Sequence, residues 1–109
     1  MNAKQNLYDL QMKRLEVFKA QNPESDELDV VFEIDGKLLY ANKYTLCSIS
    51  APLKAMLSNR WYRTEEPVGI SDYSFDDFKE FITFIYSGEC KLSKDNIFAM
   101  VDIAEYYDV

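Results

Sequence analysis

Few residues in this 109-residue chain could carry out chemistry, and each has a simpler use. There is no histidine, which removes Ser–His and Cys–His nucleophilic pairs and most zinc sites at once. Cys47 and Cys90 stand in different elements without Cys-x-x-Cys spacing. That usage fits a reducing, intracellular compartment and two core-filling thiols. The three glycines, Gly36, Gly69 and Gly88, are scattered singly, so no phosphate-cradling loop or dinucleotide fingerprint can form. Two acidic pairs remain, and paired carboxylates can exchange protons or hold a hard cation. Asp76-Asp77, however, falls in the first turn of a predicted helix, where exposed amides already favour negative charge. Glu65-Glu66 lies in a polar loop, as solvated charge or as a docking point. No catalytic, cofactor or metal residue is assigned, and the chain reads as non-enzymatic.

Two features point to binding. Trp61-Tyr62 places two large aromatics in a polar stretch beside Arg60 and Arg63, and Trp, Tyr and Arg are the residue types enriched at interfaces. The segment is either a contact surface or a loop folded back on the core. The second feature is an N-terminal helix, predicted from about Lys4 to Ala20. Leu7, Leu10, Leu15, Val17 and Phe18 fall on one broad side, interrupted by Gln11 and Arg14. If later elements complete a core alone, that side is free to cover a second subunit.

The elements that would position these features follow in order. Gln21 to Glu27, with Asn22-Pro23, has linker composition, giving a division into residues 1–28 and a domain over 29–109. Strands over Asp29–Ile34 and Leu38–Ala41 are joined by Asp35-Gly36, whose tolerance of positive φ suits a tight hairpin. Helical segments over Lys43–Ser48 and from Ser50 through Leu57 follow, the second opened by Ser50 as N-cap and Pro52 in its first turn. Pro67–Ile70 fits a short edge strand. Ser74 caps a helix presenting Phe75, Phe78, Ile82, Ile85 and Tyr86 before Gly88. Ser93 opens a last helix with a predicted stripe of Ile97, Met100, Val101, Ala104 and Tyr107. The plan is α+β: a three-stranded sheet flanked by several short helices.

Composition bounds the partners. With 48% hydrophobic and 15% aromatic residues, the chain can bury one real core. Its net charge of −7 repels phosphate backbones, and no basic stripe offsets it. Nucleic acid is therefore not an expected partner. The first twenty residues are rich in charge and lack the apolar run of a signal peptide. No stretch approaches the apolar length of a membrane span. The expected location is the cytoplasm or nucleus.

The ordered set Asp29-Val30-Val31-Phe32, Gly36, Leu39-Tyr40-Ala41-Asn42-Lys43, Leu46-Cys47-Ser48-Ile49-Ser50, Leu53-Lys54-Ala55-Met56-Leu57, Phe78 and Phe84-Ile85-Tyr86-Ser87-Gly88 resembles the BTB/POZ pattern from about Asp29 to Val109. The resemblance implies a homodimer, with a preceding helix packed across the two-fold axis. It assigns Leu7, Leu10, Leu15, Phe18, Asp29 and Lys43 to that interface. In many members it also implies recruitment of the cullin-three class of ubiquitin-ligase scaffold, which here would engage Met56, Trp61, Tyr62, Glu65 and Tyr86. The alternative is a self-association domain of a transcriptional or cytoskeletal protein with no ligase role. Asn42 stands where the family usually has histidine, and Trp61-Tyr62-Arg63 where scaffold-binding members carry hydrophobic-x-Glu. Because family domains normally continue into further helices, residues 29–109 resemble a truncated domain.

Overall fold

Residues 2–58 and 66–109 are described by a computed structural model. Among them the order is α1 (Ala3–Ala20), β1 (Val30–Ile34), β2 (Lys37–Ala41), α2 (Lys43–Ile49), α3 (Ala51–Leu57), β3 (Val68–Ile70), α4 (Phe75–Ser87) and α5 (Ile97–Tyr106). This is the expected α+β architecture. The sheet order is β2-β1-β3, with β1 central.

The hairpin follows from its two turn residues. Asp35 and Gly36 have φ of 54° and 75°, the doubly positive geometry whose twist matches that of paired strands. Ile34 then faces Lys37, and the ladder continues through Phe32–Leu39 to Val30–Ala41. The Asp35 carboxylate also accepts the Phe75 N–H at 3.4 Å, linking the turn to the start of α4. β3 joins the other side of β1 in parallel, with Phe32 opposite Val68 and Ile34 opposite Ile70. Proline before an edge strand removes no ladder donor, and Pro67 occupies that position.

Caps set the helix limits. Ser50 Oγ accepts the Leu53 N–H at 3.1 Å, and Ser74 Oγ accepts the Asp77 N–H at 3.2 Å. Gly88, at φ 76°, closes α4 through its N–H to the Phe84 carbonyl. Ser93 and Asn96 cap each other reciprocally: Asn96 Oδ1 accepts the Ser93 N–H and Ser93 Oγ accepts the Asn96 N–H. Regular α5 begins at Ile97, one turn after that cap.

One aromatic-rich core joins the layers. Phe32 of the sheet meets Phe78 edge-on at 5.2 Å, and Phe81 stacks on Tyr107 at 5.6 Å. The α5 stripe differs from the expected one. Ile97 and Val101 are exposed, and Met100, Ile103 and Tyr107 are buried. Tyr107 determines this rotation, since its ring packs against both Phe78 and Phe81. Cys47 and Cys90 are half-buried free thiols packed on the core. Burial pushes the Cys47 thiol pKa upward against the opposing pull of Lys43 and Lys54. The packing also crosses residue 28: Leu15, Phe18 and Leu28 are all buried, so the first 28 residues and the remainder share an interior.

Candidate interaction surface

α1 divides along its length and around its axis. At 100° per residue, Gln11 and Phe18 share the line facing the body of the protein. Leu7, Leu10 and Arg14 lie to one flank, and Tyr8, Met12, Leu15 and Lys19 to the other. The root of the helix is docked. Phe18 is 0% exposed and stacks on Tyr86 at 4.6 Å, while Leu15 is buried beside it. One turn of α4 is held from above by Gln11, whose Nε2 donates to the Tyr86 carbonyl at 3.1 Å. The outer half is bare: Leu7 is 67% exposed, Leu10 44%, and Tyr8 and Met12 are open as well.

On the Leu7 flank a groove of about 370 Å³ runs between α1, α2 and α4, lined in part by Leu7, Leu10, Arg14, Ile49, Ile85 and Tyr86. Ile49 is exposed on α2 where it lines this groove, and Tyr44 is exposed beside a separate recess lined by Val17 and Asn42. Large apolar side chains from two elements therefore border one open surface, and such a concentration marks a site for another polypeptide.

Below that groove a polar cluster fixes the start of α2. Asn42 is its N-cap: Oδ1 accepts from the Thr45 N–H at 2.9 Å and from the Thr45 hydroxyl at 3.0 Å, while Nδ2 donates to the Glu27 carbonyl at 2.9 Å. The amide standing where the family usually has histidine thus uses both ends of its side chain. Asp29 Oδ1 accepts the Lys43 N–H at 2.7 Å, so these two residues meet through a side chain and a backbone donor in α2's first turn. Tyr86 reaches across from α4, its hydroxyl accepting the Asn42 N–H at 2.9 Å. Burial raises the Tyr86 pKa to about 12.

The structure separates the expected interface residues into two groups. Leu7 and Leu10 lie at the surface, with Asp29 and Lys43 half-buried near the groove. Leu15 and Phe18 are enclosed by their own protomer, at 6% and 0% exposure. Of the expected scaffold contacts, Met56 is half-buried against the core. Tyr86 is 4% exposed, its ring stacked on Phe18. Trp61, Tyr62 and Glu65 lie outside the described residues. Glu66 is exposed, and the Asp76-Asp77 pair sits in the first turn of α4.

Three features were missed in the sequence. Ile49 extends the apolar surface onto α2, Tyr44 is exposed on the same helix, and Asn42 caps it. The Asn-x-x-Thr spacing before a helical run was the available signal for the cap. Among the described residues no group of three or more His, Cys, Asp or Glu could hold a metal ion, and no helix is long and apolar enough to cross a membrane.

Comparison with known proteins identifies the fold. A family model, the BTB/POZ domain, matches residues 18–109, beginning at the phenylalanine that roots α1 in the core. The fold is similar to that of the solved BTB domain of zebrafish PATZ1. The TM-score is 0.81 at 12% sequence identity, over 98% of this chain and 84% of that one. At that identity the structural likeness speaks for the fold, while the family match spans most of the sequence. The chain belongs to the BTB/POZ family, whose domains self-associate and bind partner proteins.

Proposed function

We propose that this domain is a homodimerising adaptor that associates through the outer half of α1 and recruits a cullin-type ubiquitin-ligase scaffold. The observation that carries the dimer is the exposed Leu7–Leu10 edge beside Ile49. A two-fold interface is self-complementary, and a helix edge next to an apolar groove supplies both a projection and a recess. Covering these side chains removes apolar surface worth about 25 cal/mol per Å² before the costs of association. Sedimentation equilibrium is expected to give twice the 12.8 kDa chain mass. Leu7→Asp with Leu10→Asp is expected to give monomer, because charge buried against apolar neighbours is unfavourable. A wild-type monomer at high micromolar concentration would remove this proposal.

The scaffold contact rests on the family resemblance and on the placement of Met56 at the end of α3, directly before the Trp61–Glu65 segment. Trp61 and Tyr62 follow that methionine in the sequence, and Met, Trp and Tyr are residue types enriched at protein interfaces. Purified cullin-three-class scaffold should be retained by the wild-type domain and lost with Trp61→Ala and Glu65→Ala together. Wild-type protein that dimerises but retains no scaffold would leave a self-association module without a ligase role.

A further inference from the structure

The C-terminal root of α1 carries a second device, independent of what the Leu7 flank covers. Gln21 follows the helix at φ 49°, its N–H donating to the Phe18 carbonyl at 3.2 Å. Its side chain turns to the outer edge of β2. There Oε1 accepts the Tyr40 N–H at 2.8 Å, and Nε2 donates to the Tyr40 carbonyl at 2.7 Å. Nε2 also donates to the Phe18 carbonyl at 2.7 Å. A primary amide has the same donor–acceptor pair as a peptide unit. Gln21 therefore makes with Tyr40 the two bonds that a residue of an adjoining strand would make.

The hairpin register shows why this position matters. A two-residue loop closes on a hydrogen-bonded pair, and such pairs then alternate along the ladder. Ile34–Lys37, Phe32–Leu39 and Val30–Ala41 are the bonded pairs in this register, so Leu38 and Tyr40 direct their backbone groups away from β1. β2 lies at the edge of the sheet, and Leu38 is 45% exposed. An exposed apolar edge of this kind is a template for strand addition. We propose that Gln21 is a positioning residue that closes the β2 edge to another strand. It occupies Tyr40 with a side-chain surrogate and so restricts how copies of this domain can join.

The test compares wild type, Gln21→Ala and Gln21→Glu with the double variant Gln21→Ala/Leu38→Lys. Amide hydrogen exchange at Tyr40 is expected to accelerate by about tenfold or more in Gln21→Ala. Sedimentation velocity should then show species larger than the wild-type assembly. Gln21→Glu retains the acceptor but loses the donor, and it should fall between the two. A lysine at an edge disfavours strand addition, so Leu38→Lys should restore the wild-type distribution while Tyr40 exchange stays fast. Unchanged exchange at Tyr40 would overturn the proposal. So would larger species that survive Leu38→Lys, since these would report general exposure of the core. If Gln21→Ala does not fold, exchange and sedimentation of Gln21→Glu decide between the same outcomes. None of these readouts depends on whether Leu7 and Leu10 form the dimer contact.

Discussion

α1 and α4 pack against each other and treat apolar side chains in opposite ways. α4 buries Phe78, Phe81, Ile82, Ile85 and Tyr86 along one face, while α1, five residues longer, buries only Leu15 and Phe18. In α4, amphipathicity serves the fold. In α1 the apolar residues are distributed over two flanks and the line between them, so the packed body can accept only part of them. A helix whose apolar residues exceed what one neighbour can cover keeps surface for a second contact. The difference is one of register around the axis as well as of composition, α1 being the more polar helix.

The two helices can be told apart by substitution, beginning with the largest effect. Phe78→Ala and Phe18→Ala each remove a fully buried ring and should each lower unfolding free energy by about 3–5 kcal/mol, measured by urea denaturation. Comparable losses would establish the root of α1 as core. A loss under about 1 kcal/mol at Phe18 alone would instead make α1 an appendage.

Tyr86→Phe tests the contact between the helices and α2. It keeps the stack on Phe18 but removes the hydroxyl acceptor for the Asn42 N–H, at an expected cost of about 1 kcal/mol at neutral pH. The same variant has a pH signature. Burial holds the tyrosine neutral, so its folded pKa of about 12 lies above the unfolded value. That stabilisation is complete below about pH 10 and is lost as pH rises toward 12. Stability of the wild type should therefore decline more steeply over this window than that of Tyr86→Phe. Tyr107, raised to about 12 chiefly by burial, leaves the variant a residual alkaline decline. Equal slopes would mean that Tyr86 ionises as readily in the folded state as in the unfolded one.

The smallest stability effect belongs to Leu7→Asp with Leu10→Asp. At concentrations where only monomer is present, exposed positions change unfolding by no more than about 0.5 kcal/mol each. A loss of several kcal/mol there would place the outer half of α1 in the core as well.

What could be read in advance depended on whether the signal was local. Ser50 and Ser74 act through bonds to residues three positions away and Asp35-Gly36 through their own positive φ, and the turn and caps they imply are present, while regular α5 begins at Ile97, one turn past Ser93. Pro67–Ile70 could be read as an edge strand because proline restricts where a strand can lie. The stripe on α5 was harder, because the run Ile-Phe-Ala-Met-Val-Asp-Ile-Ala has apolar residues on nearly every side. Its rotation comes from Tyr107 meeting rings contributed by α4. The burial of Leu15 and Phe18 was hidden for a related reason: periodicity places them on the apolar side of α1 but says nothing about which part of that side meets Tyr86. Gln21 read as the start of a linker, since nothing in its neighbours announces a partner at Tyr40. The expected contacts at Trp61, Tyr62 and Glu65 lie outside the described residues.

Ser50 is the one fully buried polar residue among those described. Besides capping α3, its hydroxyl donates to the carbonyl of Tyr107. One oxygen thereby joins segments 57 residues apart. During synthesis the chain emerges from its amino end, so Ser50 must wait for α5 before its interior hydroxyl is satisfied. Nascent chains that have not yet reached Tyr107 carry that hydroxyl without its acceptor, which makes synthesis of α5 a condition for closing the core.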